Sequence, residues 1–330
     1  MKLFMTTALA LALAVPAFAQ NADKPGEGVT VRPIMPTQIE EHMQHLILFK
    51  ALEDLGYTIA TPNEAEYQTM HLAVGAGDAD FMAVSWDVLH DAFFQEAGGD
   101  AVMSKVGTLI DGAIQGYMVD KASYDAGVTD LSMLKDPEVA KRFDADGDGK
   151  ADLAGCIPGW GCERVIETHL DALGLRDTVT HNQGAYPAMI ADAMARKENG
   201  GSILYYTWVP YWVAGELVPG KDAEWLTVPA GTPLPDGATA NTEFNGKNLG
   251  FAVDSIRVVA RNDFLEANPA AKALFEAAKI DINDVSAEAL RISKGEDKPE
   301  DLKRHADEWI AAHQADYDAW LAAARAAAAK

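Results

Sequence analysis

Cysteine and basic residues are scarce in this chain. It contains only two cysteines, and 27 Lys and Arg residues stand against 50 Asp and Glu residues, which gives a formal net charge of −23. Because this charge repels a phosphate backbone, we expect no nucleic-acid partner. After residue 19, no stretch approaches the roughly 18–20 apolar residues that a membrane span requires. The hydrolase and protease motifs G-x-S-x-G and H-E-x-x-H are missing as well.

The amino-terminal segment has the pattern of a secretory signal peptide. Lys2 supplies the positive charge, an apolar run extends from Ala8 to Val15, and Ala17-Phe18-Ala19 forms a small-residue cleavage site. The pattern therefore predicts a signal peptide over residues 1–19 and export of the remaining chain, most simply to a periplasm.

The most distinctive stretch is a short loop between the two cysteines. Cys156 and Cys162 bracket five residues, among which Trp160 lies between two glycines. An exported protein favours a disulfide here, which either fixes the loop or acts as a simple structural staple. Residues 163–175 have helical periodicity, and free N–H groups at a helix start suit a carboxylate. Since an indole face suits a cation, this loop can address both ends of a zwitterion.

The first part of the chain alternates between strand and helix patterns, which predicts an α/β fold. In order, the expected elements are Val29–Ile34, 37–55, Tyr57–Ile59, 64–75 and Asp80–Ser85. Trp86 follows the last of these strands, and Trp208 follows a second buried strand at residues 201–206. Ligands bind beyond the carboxyl ends of such strands, so both indoles are candidate ligand contacts.

Further elements complete the predicted architecture. If residues 87–94 are helical, His90 shares a face with Trp86 and is either a donor to an anionic group or a packed histidine. Residues 107–119 read as a strand pair that crosses between domains. Gly250–Val253 and Arg257–Ala260 read as strands that return to the first domain, and the last third of the chain is helical.

A cluster of acidic residues resembles the first part of an EF-hand calcium loop. The candidate ligands are Asp144, Asp146, Asp148 and Asp152. Gly155 occupies the position where an EF-hand has its bidentate glutamate. Either a structural calcium ion or a plain Asp/Gly turn fits this pattern.

Taken together, these stretches resemble the periplasmic glycine betaine-binding proteins of ProU-type ABC importers, the ProX family. The likeness covers nearly all of the chain after the signal peptide, and its matching segments are 83–91, 147–153, 156–163, 181–184 and 205–212. The Cys-x-Pro-Gly-Trp-Gly-Cys-Glu grouping is its specific part. The resemblance implies a type II periplasmic-binding-protein fold of two α/β lobes joined by two crossover strands. Lobe I would comprise residues 20–114 and 253–330, and lobe II residues 115–252.

The resemblance also implies a binding site and a role. Trp86, Trp160 and Trp208 would box a quaternary ammonium group, while His90 and the backbone of Gly161 and Cys162 hold the carboxylate. The ligand would be glycine betaine, and also proline betaine. A monomeric periplasmic protein would deliver it to the permease and ATPase subunits of an ABC importer for osmoprotection, without enzymatic activity or an organic cofactor.

Two other classes of function remain open from the residues alone. One is an exported hydrolase of a quaternary ammonium compound, for which His90 and nearby carboxylates are the candidate groups. The other is a calcium-dependent structural or adhesion protein built on the acidic loop. Within the binding hypothesis, Asp87 either caps the following helix or faces the ligand and alters its preference.

Overall fold

The structure is a computed structural model that describes residues 23–329, so the predicted signal peptide at residues 1–19 lies outside the described residues. Its strands are β1 (Thr30–Val31), β2 (Ile34–Pro36), β3 (Thr58–Ile59), β4 (Asn63–Ala65), β5 (Phe81–Trp86), β6 (Met103–Asp120), β7 (Ala151–Ala154), β8 (Val179–Asn182), β9 (Leu204–Val209), β10 (Ala223–Trp225), β11 (Glu243–Phe244), β12 (Lys247–Asn248) and β13 (Asp254–Arg261). Its helices are α1 (His42–Asp54), α2 (Tyr67–Ala76), α3 (Asp91–Glu96), α4 (Lys121–Asp125), α5 (Pro137–Ala140), α6 (Gly161–Leu173), α7 (Tyr186–Glu198), α8 (Val213–Glu216), α9 (Asn262–Ala267), α10 (Pro269–Ala277), α11 (Ile282–Ser293), α12 (Pro299–Ala312) and α13 (Gln314–Ala328). Over residues 23–329, none of these helices combines the length and the apolar character that a membrane crossing needs.

A mixed sheet forms the centre of the molecule and is continuous through β6. Its strand order is β5-β13-β6-β9-β7-β8, with β10 paired to β6. The amino-terminal part of β6 pairs with β13 up to Ala113, and from Ile114 onwards it pairs with β9. One 18-residue strand therefore connects the two halves of the sheet. The predicted α/β fold is confirmed, while the lobe boundaries at residues 114 and 252 stay a prediction.

Apolar side chains explain why these segments form a core. All six residues of β5 are buried, as expected of a strand covered on both faces. In the helical carboxyl-terminal part, α12 and α13 bury Trp309 and Trp320, whose rings stack at 5.7 Å. The prediction that these two tryptophans belong to the core is confirmed.

Several local predictions were wrong. The glycines in residues 107–119 do not break a strand pair, because Gly107 and Gly112 adopt positive φ angles within the single strand β6. Gly250–Val253 is not a strand, and only the adjoining β13 is regular. The first helix begins at His42, after a 3₁₀ turn at Ile39–Glu41, rather than at residue 37.

The predicted helix over residues 87–94 begins only at Asp91. The reason is a long-range contact, since the carboxylate of Asp254 accepts hydrogen bonds from the N–H groups of Val88 and Leu89, at 3.0 Å each. Asp87 neither caps a helix nor faces a ligand cavity. Its carboxylate forms ion pairs of 2.8 Å with Lys105 and Arg257.

Candidate functional site

The three indoles that the sequence singled out line one cavity. The first wall of this cavity consists of Glu41, Tyr67, Trp86, Leu89 and His90. The second wall consists of Trp160, Gly161, Cys162, Tyr206 and Trp208. Gln115, on β6, lines the cavity between the two walls. All three indoles are buried, and the ring centroids of Trp160 and Trp208 lie 5.7 Å apart at 74°.

Trp160 is held from two sides. Cys156 and Cys162 form the predicted disulfide, with their Cα atoms 6.1 Å apart, which closes the loop around the indole. The indole Nε1 donates a 2.9 Å hydrogen bond to the carboxylate of Glu66, which directly precedes α2. The ring of Tyr67 also contacts Trp160 edge-on at 5.7 Å. The loop is therefore fixed to its own helix and to the opposite side of the cavity.

Trp208 lies near the carboxyl end of β9 and packs against tyrosine side chains. Its ring stacks on Tyr211 at 4.1 Å and contacts Tyr186 at 4.8 Å. The hydroxyl of Tyr186 donates a 2.6 Å hydrogen bond to the carbonyl of Tyr206, so the buried hydroxyl of this tyrosine has a partner. Such packing pre-organises the indole face before any ligand arrives.

His90 is a neutral imidazole whose free nitrogen is a donor. Its Nδ1 accepts a 3.2 Å hydrogen bond from the backbone N–H of Trp86, so the ring proton must lie on Nε2. Burial lowers the pKa of His90 well below its usual value, and the nearby His71 lowers it further. Within residues 23–329, the one hydrogen bond of the His90 ring is the bond at Nδ1, so Nε2 is left free. This side chain can therefore donate one N–H to an acceptor in the cavity.

The start of α6 presents further donors. The helix begins at Gly161, and within the described chain the N–H groups of Gly161 and Cys162 have no acceptor, whereas Glu163 N–H bonds to the carbonyl of Trp160. A side chain at position 161 would clash, because its Cβ would lie 2.7 Å from the carbonyl oxygen of Leu89. Glycine thus lets the helix start approach the first wall, where its dipole and N–H groups suit an anion.

The sequence analysis missed five cavity residues, namely Glu41, Tyr67, Leu89, Gln115 and Tyr206. Glu41 is buried and accepts a 2.8 Å hydrogen bond from the hydroxyl of Tyr67. Burial raises the pKa of Glu41 to about 7, although hydrogen bonds from Tyr67 and Trp86 oppose this shift. Leu89 and Tyr206 lie close in sequence to predicted site residues, whereas Glu41, Tyr67 and Gln115 reach the cavity only through tertiary packing.

Hydrogen bonds link the two sides of the cavity. Besides the bond between Trp160 and Glu66, the hydroxyl of Tyr211 donates to Glu40 at 3.2 Å and accepts from Gln38 at 3.1 Å. Gln38 and Glu40 precede α1, while Tyr211 supports Trp208. These bonds stabilise the arrangement in which the cavity is enclosed.

The acidic loop lies elsewhere, next to β7. Carboxylate oxygens of Asp144, Asp146 and Asp152 lie within 4.8 Å of one another, whereas Asp148 is not part of this group. The carboxylate of Asp144 accepts hydrogen bonds from Gly147 and Gly149, which lower its pKa. The loop is thus ordered by its own backbone bonds, and calcium binding stays a prediction.

A cavity of this kind defines a class of protein. Aromatic faces on one part of its surface suit a cation, and N–H donors on another part suit an anion. Set between two halves of an α/β sheet, such a cavity is typical of a binding protein for a small solute.

Comparison with known proteins identifies the family. Residues 30–312 match the family model described as the substrate-binding domain of an ABC-type glycine betaine transport system (OpuAC), and the chain belongs to this family. It is 48% identical over 325 residues to the glycine betaine-binding periplasmic protein OusX of Dickeya dadantii, with 98% of each chain covered. It is 45% identical over 323 residues to the glycine betaine/proline betaine-binding periplasmic protein of Escherichia coli, with 97% of each chain covered.

Solved structures support the fold. Lactococcal OpuAC, in a closed conformation complexed with glycine betaine, has a TM-score of 0.67 at 20% identity, covering 89% of this chain and 99% of that one. An ABC-transporter choline-binding protein in complex with choline has a TM-score of 0.69 at 15% identity, covering 91% and 96%. The type II binding-protein fold is therefore confirmed. The family consists of substrate-binding proteins rather than enzymes, so the hydrolase alternative is wrong.

Proposed function

We propose that this protein captures glycine betaine in the cavity between its two walls and delivers it to an ABC importer. The observation that carries the proposal is that Trp86, Trp160 and Trp208, distant in the sequence, line one enclosed cavity. The names of the two close relatives, both glycine betaine-binding periplasmic proteins, support the same ligand class and a periplasmic location.

The indoles would bind the trimethylammonium group. This group has no N–H to donate, so hydrogen bonding cannot recognise it, whereas an indole face attracts it by about 0.5–2 kcal/mol. Three faces supply a few kcal/mol, and a micromolar ligand needs about 8 kcal/mol. The remainder must come from burial of the methyl groups, from the preformed cavity and from the anionic end of the ligand.

His90 and the helix start would bind the carboxylate. Nε2–H of His90 and the N–H groups of Gly161 and Cys162 are donors without acceptors within residues 23–329. Because His90 is neutral, it offers a hydrogen bond rather than a full charge. Proline betaine keeps the same two charged ends and is expected to fit. Choline lacks the carboxylate and would leave these donors unpaired, so it should bind more weakly.

Ligand binding would stabilise the arrangement in which the two walls of the cavity are close together. His90 belongs to the first wall and Gly161 to the second, so a carboxylate held by both stabilises only the enclosed arrangement. The bonds from Trp160 to Glu66 and from Tyr211 to Glu40 add to this preference. We propose that the permease of the importer recognises a monomer in this state, which supports osmoprotection by accumulation of the betaine.

Titration calorimetry with glycine betaine tests the proposal. Trp208→Leu should weaken binding about tenfold or more, because it removes one indole face from the cavity. Trp320→Leu is the matched control, since Trp320 is equally buried but packs against Trp309 among the carboxyl-terminal helices. The control should lower stability and leave affinity unchanged. Absence of binding by the folded wild-type protein at millimolar glycine betaine would refute the proposal.

A further inference from the structure

Gln115 is a buried polar residue with an unused donor. Its side chain is 1% exposed, and Nε2 has no hydrogen-bond partner within the described chain. Its Oε1 accepts a 2.7 Å hydrogen bond from the hydroxyl of Tyr206, which fixes the orientation of the amide. A buried donor without a partner is costly and uncommon, so its position calls for an acceptor that arrives with a ligand.

The strand register directs this amide toward the cavity. Gln115 on β6 lies directly opposite Trp208 on β9. Side chains opposite each other on neighbouring strands share one face of the sheet, with Cβ atoms about 5 Å apart. Both residues line the cavity, and so does Tyr206, two residues before Trp208 on the same strand.

The surroundings of Gln115 identify the end of the ligand that it meets. Leu89, Gln115 and Gly161 line the cavity and also a second, adjoining cavity, so they form the partition between the two. Gly161 contributes one of the free N–H groups at the start of α6. Gln115 therefore shares this partition with the residue that begins α6.

We propose that Gln115 donates a hydrogen bond from Nε2 to the carboxylate of the bound zwitterion and thereby selects carboxylates over alcohols. This inference rests on the proposed function. A carboxylate offers about four lone-pair sites, enough to accept from His90, the helix start and this amide together. A hydroxyl in the same place has fewer acceptor sites and carries no charge, so it gains less from the same donors.

The test compares glycine betaine with choline on the full chain at pH 8, by calorimetry. Q115E preserves the acceptor for Tyr206 but replaces the donor with a negative oxygen. It should weaken glycine betaine binding about tenfold to hundredfold, whereas choline, whose hydroxyl can donate to the new carboxylate, should bind as well as before or better. The preference for the carboxylate should therefore fall by at least tenfold.

Q115M is the second variant, because it removes the donor without adding a charge. It should weaken glycine betaine more than choline even if the loss of the acceptor for Tyr206 lowers the melting temperature. Gln44→Met is the matched control, since the amide of Gln44 is also buried and unpartnered but lines neither cavity. The control should leave the ratio of the two affinities unchanged.

The outcomes separate this inference from the proposed function. Equal weakening of both ligands in Q115E and Q115M, or no change in either, would overturn the role of Gln115 while wild-type binding of glycine betaine stands. A wild-type protein that binds neither ligand would overturn both proposals. A change in the ratio for Gln44→Met would equally refute the inference, since it would show that the preference does not depend on contact with the ligand.

Discussion

Replacing Glu41 with glutamine separates the charge of this buried side chain from its shape. Glu41 lines the first wall of the cavity and accepts a hydrogen bond from Tyr67. Glutamine has nearly the same size and can accept the same bond, but it is neutral at every pH. We expect Glu41→Gln to stabilise the ligand-free protein above neutral pH and to weaken the binding of a cationic ligand.

The effect on stability follows from the pKa. Burial raises the pKa of Glu41 from 4.5 to about 7, so the folded state holds the proton more tightly than the unfolded state. The contribution of Glu41 to stability is therefore full below pH 4.5 and is lost as the pH rises to about 7. The loss amounts to about 3 kcal/mol, at 1.36 kcal/mol per pKa unit. Glu41→Gln should match wild type near pH 4 and exceed it by about that amount at pH 8.

The effect on binding has the opposite sign. A trimethylammonium group in the cavity favours the ionised carboxylate, so binding lowers the pKa of Glu41 and releases a proton. Wild-type affinity should fall as the pH drops below about 7, by at most tenfold per pH unit, while the affinity of Glu41→Gln stays nearly constant. At pH 8 the variant should bind roughly tenfold more weakly, since unit charges about 6 Å apart attract by up to about 3 kcal/mol at an effective dielectric constant of about 20.

Three buried histidines near Glu41 do not change their charge in this pH window. Burial lowers the pKa of His45 to about 3 and that of His71 to about 4, and it lowers the pKa of His90 further below its usual range. These rings stay neutral between pH 5 and pH 8. Burial also raises the pKa of Glu40, whose charge adds to the rise in the pKa of Glu41, and Glu40 is present in both proteins that are compared.

Two measurements decide the matter. Urea unfolding of wild type and Glu41→Gln at pH 4, 6 and 8 gives the stability difference, and calorimetry in two buffers of different ionisation enthalpy counts the protons released on binding. Wild-type affinity that is constant from pH 5.5 to pH 8 would refute the reasoning. So would a stability difference between Glu41→Gln and wild type that is no larger at pH 8 than at pH 4.

Three further predictions address the frame of the site. Glu66→Gln should weaken glycine betaine binding several-fold, because the acceptor for Trp160 Nε1 loses its charge; Glu64→Gln, at an exposed neighbour, is the control, and equal affinity in both variants would contradict the prediction. Removing the disulfide by a double substitution of Cys156 and Cys162 with serine should cost on the order of 2 kcal/mol of stability in urea and also weaken binding. A loss of stability with unchanged affinity would make the disulfide a structural staple only. Millimolar calcium should raise the melting temperature of wild type but not of Asp146→Asn, and an unchanged wild-type melting temperature would leave the acidic loop as a plain turn.

Some features of the site were predictable because their determinants are local. The disulfide, the position of Trp160 and the helix start, predicted at residue 163 and found at Gly161, all lie within eight consecutive residues. Trp86 was predictable for a related reason, since a buried apolar run marks its strand. In α/β sheets, ligands bind beyond the carboxyl ends of the strands, where Trp86 lies.

Other local predictions failed where a distant residue intervened. The turn after Trp86 replaces a predicted helix because Asp254, more than 160 positions away, takes the N–H groups of Val88 and Leu89. Asp87 was predicted to cap a helix or to face the ligand, but its carboxylate forms ion pairs with Lys105 and Arg257 instead. No window of neighbouring residues contains these partners.

By itself, the sequence determined the α/β class, the tethered indole and, through its family pattern, the kind of ligand to consider. Only the tertiary structure brought Glu41, Tyr67 and Gln115 to the cavity and left the amide nitrogen of Gln115 without a partner. The physical reason is that propensity and periodicity act between residues close in the chain. Burial and hydrogen-bond partnership, which set the protonation state of Glu41 and the free donor of Gln115, depend on segments that meet only in the folded protein.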